Sequence, residues 1–207
     1  MVALGGPYAH GNLDRIIEHN CIDWAVDGEG DLSFPLVVRR FYEGNNDLSD
    51  IRGLLWRNGD EFVINPGTWE VDDLDSVPFP AWDLIDFDAY ASRPTMMENL
   101  RGTRYAPLFT SRGCPYLCTY CHDIFGKKFR HRSPANVLEE IHLLRDLYGV
   151  DELEIVDDIF NLHRPRMKAI CQGIKPLNMH VCFPNGLRAD ILTEDAVQDL
   201  ADAGTYQ

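Results

Sequence analysis

The sequence predicts an α/β protein, and three observations carry that prediction. Short apolar runs alternate with segments of helical periodicity through residues 106–207; two short apolar runs near the start each lead into a Gly-rich turn; and between these regions an Asn-Gly pair separates two further apolar runs. The hydrophobic share of 45% is ample for a packed core in a chain of 207 residues, which has room for one large domain or two small ones.

Val2-Ala3-Leu4 runs straight into Gly5-Gly6-Pro7, the pattern of a buried strand and its turn. A strand so close to the first methionine suggests missing sequence upstream. Residues 13–19 carry apolar side chains at helical spacing, and residues 21–26 form another short strand. Gly28-Glu29-Gly30-Asp31 is a second Gly-rich turn, followed by a helix over residues 33–41 with Pro35 in its first turn, where a missing N–H is tolerated. This is the pattern of the trailing part of an α/β nucleotide-type domain.

From residue 43 to about 105 the pattern changes. Residues 54–57 and 61–64 flank Asn58-Gly59, which predicts a β-hairpin because its turn residues need positive φ. Residues 72–88 combine Pro78, Pro80 and Trp82 with six aspartates, a connector packed against a neighbour rather than a free linker.

Residues 108–111 form a strand that ends in Arg112-Gly113 and a cysteine cluster. Ser133 caps a helix that opens on Pro134, buries Val137, Leu138, Ile141, Leu144 and Leu147, and stops at Gly149. Strands follow at 152–156 and 180–183, with helices at 164–174 and from a Thr193 cap to Ala203. Repeated β-α units imply a parallel sheet or barrel whose active groups lie at the C-terminal strand ends. A fourth strand is due where the chain stops, at Tyr206-Gln207.

The net charge of -14, from 19 basic and 33 acidic side chains, disfavours a nucleic-acid substrate. No apolar run approaches the ~20 residues of a membrane-spanning helix, and no secretion signal opens the chain, so a cytoplasmic location is the default expectation.

Of the six cysteines, Cys21, Cys171 and Cys182 are isolated, as small buried hydrophobes are, whereas three stand in Cys114-Pro115-Tyr116-Leu117-Cys118-Thr119-Tyr120-Cys121. That is a metal or redox pattern, not a disulfide framework. Three thiolates on a 4Fe-4S cluster leave one iron open to a small molecule, while structural zinc wants a fourth ligand, for which adjacent His122 is badly placed. Spacing favours the iron-sulfur site over zinc and over unrelated cysteines. Glu154-Ile155-Val156-Asp157-Asp158 puts two acids at a strand end, where they point to opposite faces, and the alternative is that both cap the next turn. Asn185-Gly186-Leu187-Arg188-Ala189-Asp190 offers a guanidinium suited to a carboxylate, or a plain surface arginine. The basic stretch at residues 126–132 reads as a solvated loop before it reads as an anion site.

A strand followed by C-x-x-x-C-x-x-C, with an aromatic before the last cysteine, resembles the radical S-adenosylmethionine superfamily. The order Gly-Gly-Pro, Gly-Glu-Gly, the connector and then the cluster resembles its members with an N-terminal cobalamin-binding domain, over nearly the whole chain. The resemblance implies that Cys114, Cys118 and Cys121 hold the cluster and that S-adenosylmethionine chelates the open iron and is cleaved to a 5′-deoxyadenosyl radical. It further implies that Tyr120 lies beside the adenine, that Asp157 or Asp158 and Arg188 meet the rest of that cofactor, and that Gly5, Gly6, Gly28 and Glu29 approach the nucleotide tail of cobalamin.

On the same resemblance, residues 1–45 are the C-terminal remnant of a Rossmann-like cobalamin-binding domain and 46–105 a connector with a β-hairpin. Residues 106–207 are then the first half of a partial (β/α)6 TIM-like barrel. The chain is expected to be a fragment, truncated at both ends, in which cobalamin binding is doubtful. The implied reaction is methylation of an unactivated carbon of a small molecule, with a reductant such as a flavodoxin or ferredoxin. Oxidative cyclisation of a tetrapyrrole-like substrate and a non-catalytic zinc-binding or inert fragment are the alternatives.

Overall fold

The computed structural model describes every residue except 20, 60, 92, 94, 98 and 123. The chain forms two compact units, Met1–Asp72 with Leu117–Gly126, and Asp73–Tyr116 with Lys127–Gln207.

In the first unit β1 (Ala3–Leu4) and β2 (Trp24–Val26) run parallel, joined through the short helix α1 (Leu13–Ile16). A two-residue and a three-residue strand suffice because each strand end turns on glycine, with φ of 80° at Gly6 and 83° at Gly28, a conformation that costs glycine little. Helix α2 (Gly30–Glu43) follows Glu29 and ends on a left-handed Gly44. It begins three residues before the expected start, so Pro35 lies in its interior. The Gly28-Glu29-Gly30 turn itself launches the helix, and the missing Pro35 N–H forgoes one intrahelical bond.

Strands β3 (Leu54–Asn58) and β4 (Glu61–Ile64) make the expected hairpin, but Asn58 pairs with Glu61 as the last strand residue, and of the Asn-Gly pair only Gly59 has positive φ. The hairpin continues the first sheet, in the order β1-β2-β3-β4. Strand alternation sorts its side chains: Ala25 and Leu55 pack with Ala9, Ile16 and Ile22, whereas Val26, Leu54 and Trp56 pack with Val37, Leu48 and Ile51.

The second unit opens with the aspartate-rich connector, which packs against a neighbour as expected. Helix α3 (Phe87–Ala91) follows the connector, and β5 (Tyr105–Leu108) leads to a two-stranded ribbon of β6 (Ser111–Arg112) and β7 (Arg130–His131). Next come α4 (Pro134–Tyr148), β8 (Glu152–Ile155), α5 (Arg164–Ile174), β9 (His180–Cys182) and α6 (Glu194–Asp202). Trp82 Nε1 donates to Glu140 of α4 at 2.9 Å, and Phe87 stacks on Tyr148 with centroids 4.8 Å apart.

β5, β8 and β9 form a parallel sheet in the order β5-β8-β9, and Thr205 adds a parallel bridge to Val181 where a fourth strand is due. Ala106, Leu108, Leu153, Ile155 and Val181 bury one sheet face against Val137, Ile141 and Leu144 of α4 and Met167 and Ile170 of α5. Register puts Tyr105 beside Glu152, and Glu154 beside Cys182, on the other face. The Ser133 hydroxyl accepts from the Asn136 N–H, and Gly149 ends α4 left-handed, as the sequence predicts. Leu147 is a correction: it is 73% exposed, because ten residues after Val137 a 3.6-residue helix has turned it roughly 80° off the buried face. Among the described residues no helix is long and apolar enough to cross a membrane.

Candidate functional site

The cysteine motif follows β6, the short strand after β5. β6 and β7 pair antiparallel, Ser111 with His131 and Arg112 with Arg130, so the ribbon holds the two ends of the cysteine segment together. A buried polar network locks the ribbon to the core. The Asp157 carboxylate, 2% exposed, accepts from the Thr110 N–H at 2.6 Å, the Thr110 hydroxyl at 2.5 Å and the Ser111 hydroxyl at 2.6 Å. Arg166 of α5, also 2% exposed, donates to the Arg132 carbonyl at 2.9 Å and the Thr110 carbonyl at 2.5 Å. Arg132 in turn donates to Glu140 at 2.5 Å. Burial pushes Asp157 above the usual carboxylate range against the pull of these hydrogen bonds and of Arg166, and burial lowers Arg166 to about 10.

The three motif cysteines carry free thiols. Cys114 and Cys118 are half-buried and Cys121 is exposed, with its N–H donating to the Cys118 carbonyl at 3.2 Å. Tyr120, at 91% exposed, projects into solvent. Among the described residues no three His, Cys, Asp or Glu side chains are gathered around a point as ligands of one metal ion. Three thiols within eight residues of sequence are the donor set of a cluster that leaves one iron open.

Asp157 and Asp158 part as strand geometry requires. Asp157 turns into the network, whereas half-buried Asp158 accepts from the Gly113 N–H at 3.2 Å, one residue before Cys114. At the end of β9, the Arg188 guanidinium pairs edge-on with Asp190 at 2.8 and 2.9 Å and lies face-on over the Tyr116 ring, 3.5 Å from its centroid. Asn161 fixes the Arg188 backbone through both of its polar groups, at 2.8 and 3.1 Å, and Asn185 Nδ2 donates to the Val156 carbonyl at 3.0 Å. Thr110, Ser111, Arg166 and Asn161 were not legible as part of this site. Arg166 reads as an ordinary residue of a surface helix, and only its burial reveals the role.

In the first unit both Gly-rich turns lie at the C-terminal ends of the parallel pair β1-β2, where open α/β sheets bind ligands. A Cβ at Gly5 or Gly6 would meet no heavy atom within 4 Å, so this turn is open to close approach by a bulky group. Gly28 differs, since Thr68 Cβ stands 3.3 Å from where its Cβ would lie. Glu29, 5% exposed, accepts from the Val71 N–H at 3.1 Å. The Gly5-Gly6 turn fits the approach of a cobalamin tail; the Gly28-Glu29 turn is taken up largely by contacts within its own unit.

No family model matches the chain. It is 30% identical, over 97% of its length, to the cobalamin-dependent radical SAM methyltransferase TokK of Streptomyces tokunonensis, of which it covers 29%. It is 28% identical, over 88% of its length, to the anaerobic magnesium-protoporphyrin IX monomethyl ester cyclase of Synechocystis, of which it covers 35%. Among solved structures it resembles the radical S-adenosylmethionine methyltransferase TsrM of Kitasatospora setae, with a TM-score of 0.77 at 21% identity, over 99% of this chain and 40% of that one. The chain spans less than half the length of the relatives it matches.

Proposed function

The chain belongs to the radical S-adenosylmethionine enzyme family, in the branch that holds cobalamin-dependent methyltransferases and related cyclases, and on that premise we propose that Cys114, Cys118 and Cys121 hold a 4Fe-4S cluster with one iron open to S-adenosylmethionine. The observation that carries this reading is the spacing of three free thiols in the segment that follows β6. When bound, the cluster and S-adenosylmethionine supply an electron and a 5′-deoxyadenosyl radical, and cobalamin supplies a methyl group.

The chain's own residues bind, orient and exclude solvent. Asp157, Arg166, Thr110 and Ser111 hold the strand end that leads to Cys114. Tyr120 is placed by the motif to cover the adenine. Of the two acids, Asp158 is the one beside the cysteine motif and the better placed to meet the cofactor, and Asp157 lies inside the network. Gly5 and Gly6 offer the open approach for the cobalamin tail, with Gly28 and Glu29 shaping the neighbouring strand end. β5, β8 and β9 are the first strands of a TIM-like barrel whose C-terminal ends face the substrate, a small molecule. The whole protein then methylates an unactivated carbon, drawing electrons from a flavodoxin- or ferredoxin-type reductant.

Anaerobic reconstitution with iron and sulfide tests the reading. It predicts close to four irons and four sulfides per chain and a brown visible absorption, both lost in Cys114→Ala, Cys118→Ala and Cys121→Ala. Stoichiometric zinc on colourless protein, or iron uptake unchanged in those variants, would overturn it.

A further inference from the structure

Cys114 lies between two anchored neighbours. On one side Gly113, buried and at φ 79°, donates its N–H to Asp158. On the other, two residues on, the Tyr116 ring lies beneath the Arg188 guanidinium at 3.5 Å. That guanidinium does not hang free over the ring. Asp190 holds its edge at 2.8 and 2.9 Å, and Asn161 holds its backbone through an accepted and a donated hydrogen bond, so the third strand end presents a rigid plate to the loop. A planar cation over an electron-rich ring face is an attractive contact, and arginine makes it better than lysine because it stacks flat while its edge remains paired.

We infer that Arg188 is a positioning residue: clamped by Asp190 and Asn161, it holds Tyr116 and thereby fixes Cys114 in place for the metal cluster, instead of serving as a direct ligand of the cofactor's carboxylate. The role of Cys114 as a ligand rests on the function proposed above, but the clamp itself concerns only residues 113–116, 158, 161, 188 and 190. The contact explains why a guanidinium already paired along its edge stands at this strand end. It also places the sensitivity to substitution in Tyr116 as much as in Arg188, which a direct cofactor ligand would not do.

The test measures two things on the full chain: the rate at which iodoacetamide labels Cys114 in the metal-free protein, read by peptide mass spectrometry, and the binding of S-adenosylmethionine to the reconstituted protein. The clamp predicts that Arg188→Ala and Tyr116→Leu each speed Cys114 labelling about threefold to tenfold, that the double variant is no faster than either single one, and that Tyr116→Phe stays near wild type. It predicts that both single variants weaken S-adenosylmethionine binding by similar factors. Unchanged Cys114 labelling in folded Arg188→Ala and Tyr116→Leu would overturn the clamp. So would S-adenosylmethionine binding lost in Arg188→Ala and retained in Tyr116→Leu, the signature of a direct ligand. Should Arg188→Ala fail to fold by circular dichroism, Tyr116→Leu on the half-buried loop decides alone. Failure of the wild type to take up a cluster would count against the proposed function, while the labelling rates would still judge the clamp.

Discussion

Replacing Asp157 by alanine removes the acceptor for three donors, at 2.5 to 2.6 Å, from a position only 2% exposed. The Thr110 and Ser111 hydroxyls can turn toward other partners, but the Thr110 N–H cannot, and a buried unsatisfied donor costs about 1–3 kcal/mol. Arg166, equally buried, also loses the carboxylate whose field favours its charge. Together these give a loss of about 3–5 kcal/mol, the range expected when a buried hydrogen-bonded network loses its shared acceptor. With m near ~3 kcal/mol/M, the urea midpoint falls by about 1–2 M. Asp158→Ala removes one 3.2 Å hydrogen bond at a half-buried site, and its expected cost is about 0.5–1 kcal/mol. Asp157→Asn falls between, because its amide still accepts from the Thr110 N–H. Urea unfolding followed by circular dichroism at pH 7 gives the midpoints, and hydrogen exchange assigns the change to residues 73–116 and 127–207. Asp157→Ala within about 1 kcal/mol of wild type, or a larger cost for Asp158→Ala, would refute the assignment of Asp157 to the buried network at the ribbon.

Other substitutions probe the remaining claims. Burial pushes the Cys171 and Cys182 thiols up to about 12, so at pH 7.5 iodoacetamide labels Cys21, Cys114, Cys118 and Cys121 in the metal-free protein and leaves these two; after reconstitution only Cys21 remains reactive. Burial also raises the Glu154 carboxyl, which therefore contributes stability fully below its unfolded pKa and loses it as pH rises through the folded one. Glu154→Gln accordingly matches wild type near pH 4 and exceeds it at pH 7.5 in urea midpoint; equal midpoints at both pH values would contradict this. Gly53→Ala places a Cβ 2.7 Å from the Asp27 carbonyl at φ 68° and lowers the melting temperature, with a cost of about 1–3 kcal/mol. Gly5→Ala meets nothing within 4 Å and leaves the melting temperature unchanged, but weakens cobalamin binding in an equilibrium titration if the tail approaches that turn.

The regular elements were legible where local chemistry is decisive. Ser133-Pro134 and Gly149 bound a helix by capping alone, and the apolar runs of β8 and β9 announce buried parallel strands, whereas β5 lies at Tyr105–Leu108 and meets the expected strand at 108–111 only at Leu108. Pro35 misled because a proline is most easily placed in a first turn, whereas tertiary packing of Val37 holds α2 across it. Leu147 misled because an apolar residue at i+3 from Leu144 passes a spacing test while the cumulative rotation carries it to solvent. The cysteine motif was legible because all three thiols lie within eight residues. Its support was not: Thr110 and Asp157, or Arg166 and Thr110, are 47 and 56 residues apart, and no local pattern joins them. The two strand-end acids were separable only as a pair with opposite directions, since periodicity says that they diverge and not which one the core takes.

The central claim is that three cysteines hold a cluster with an open iron, and electron paramagnetic resonance of the anaerobically reconstituted, dithionite-reduced protein tests it most directly. The account predicts the signal of a reduced 4Fe-4S cluster that shifts when S-adenosylmethionine is added and disappears in Cys118→Ala. A folded wild-type protein with no such signal, or a cluster signal that S-adenosylmethionine leaves unmoved, would contradict it.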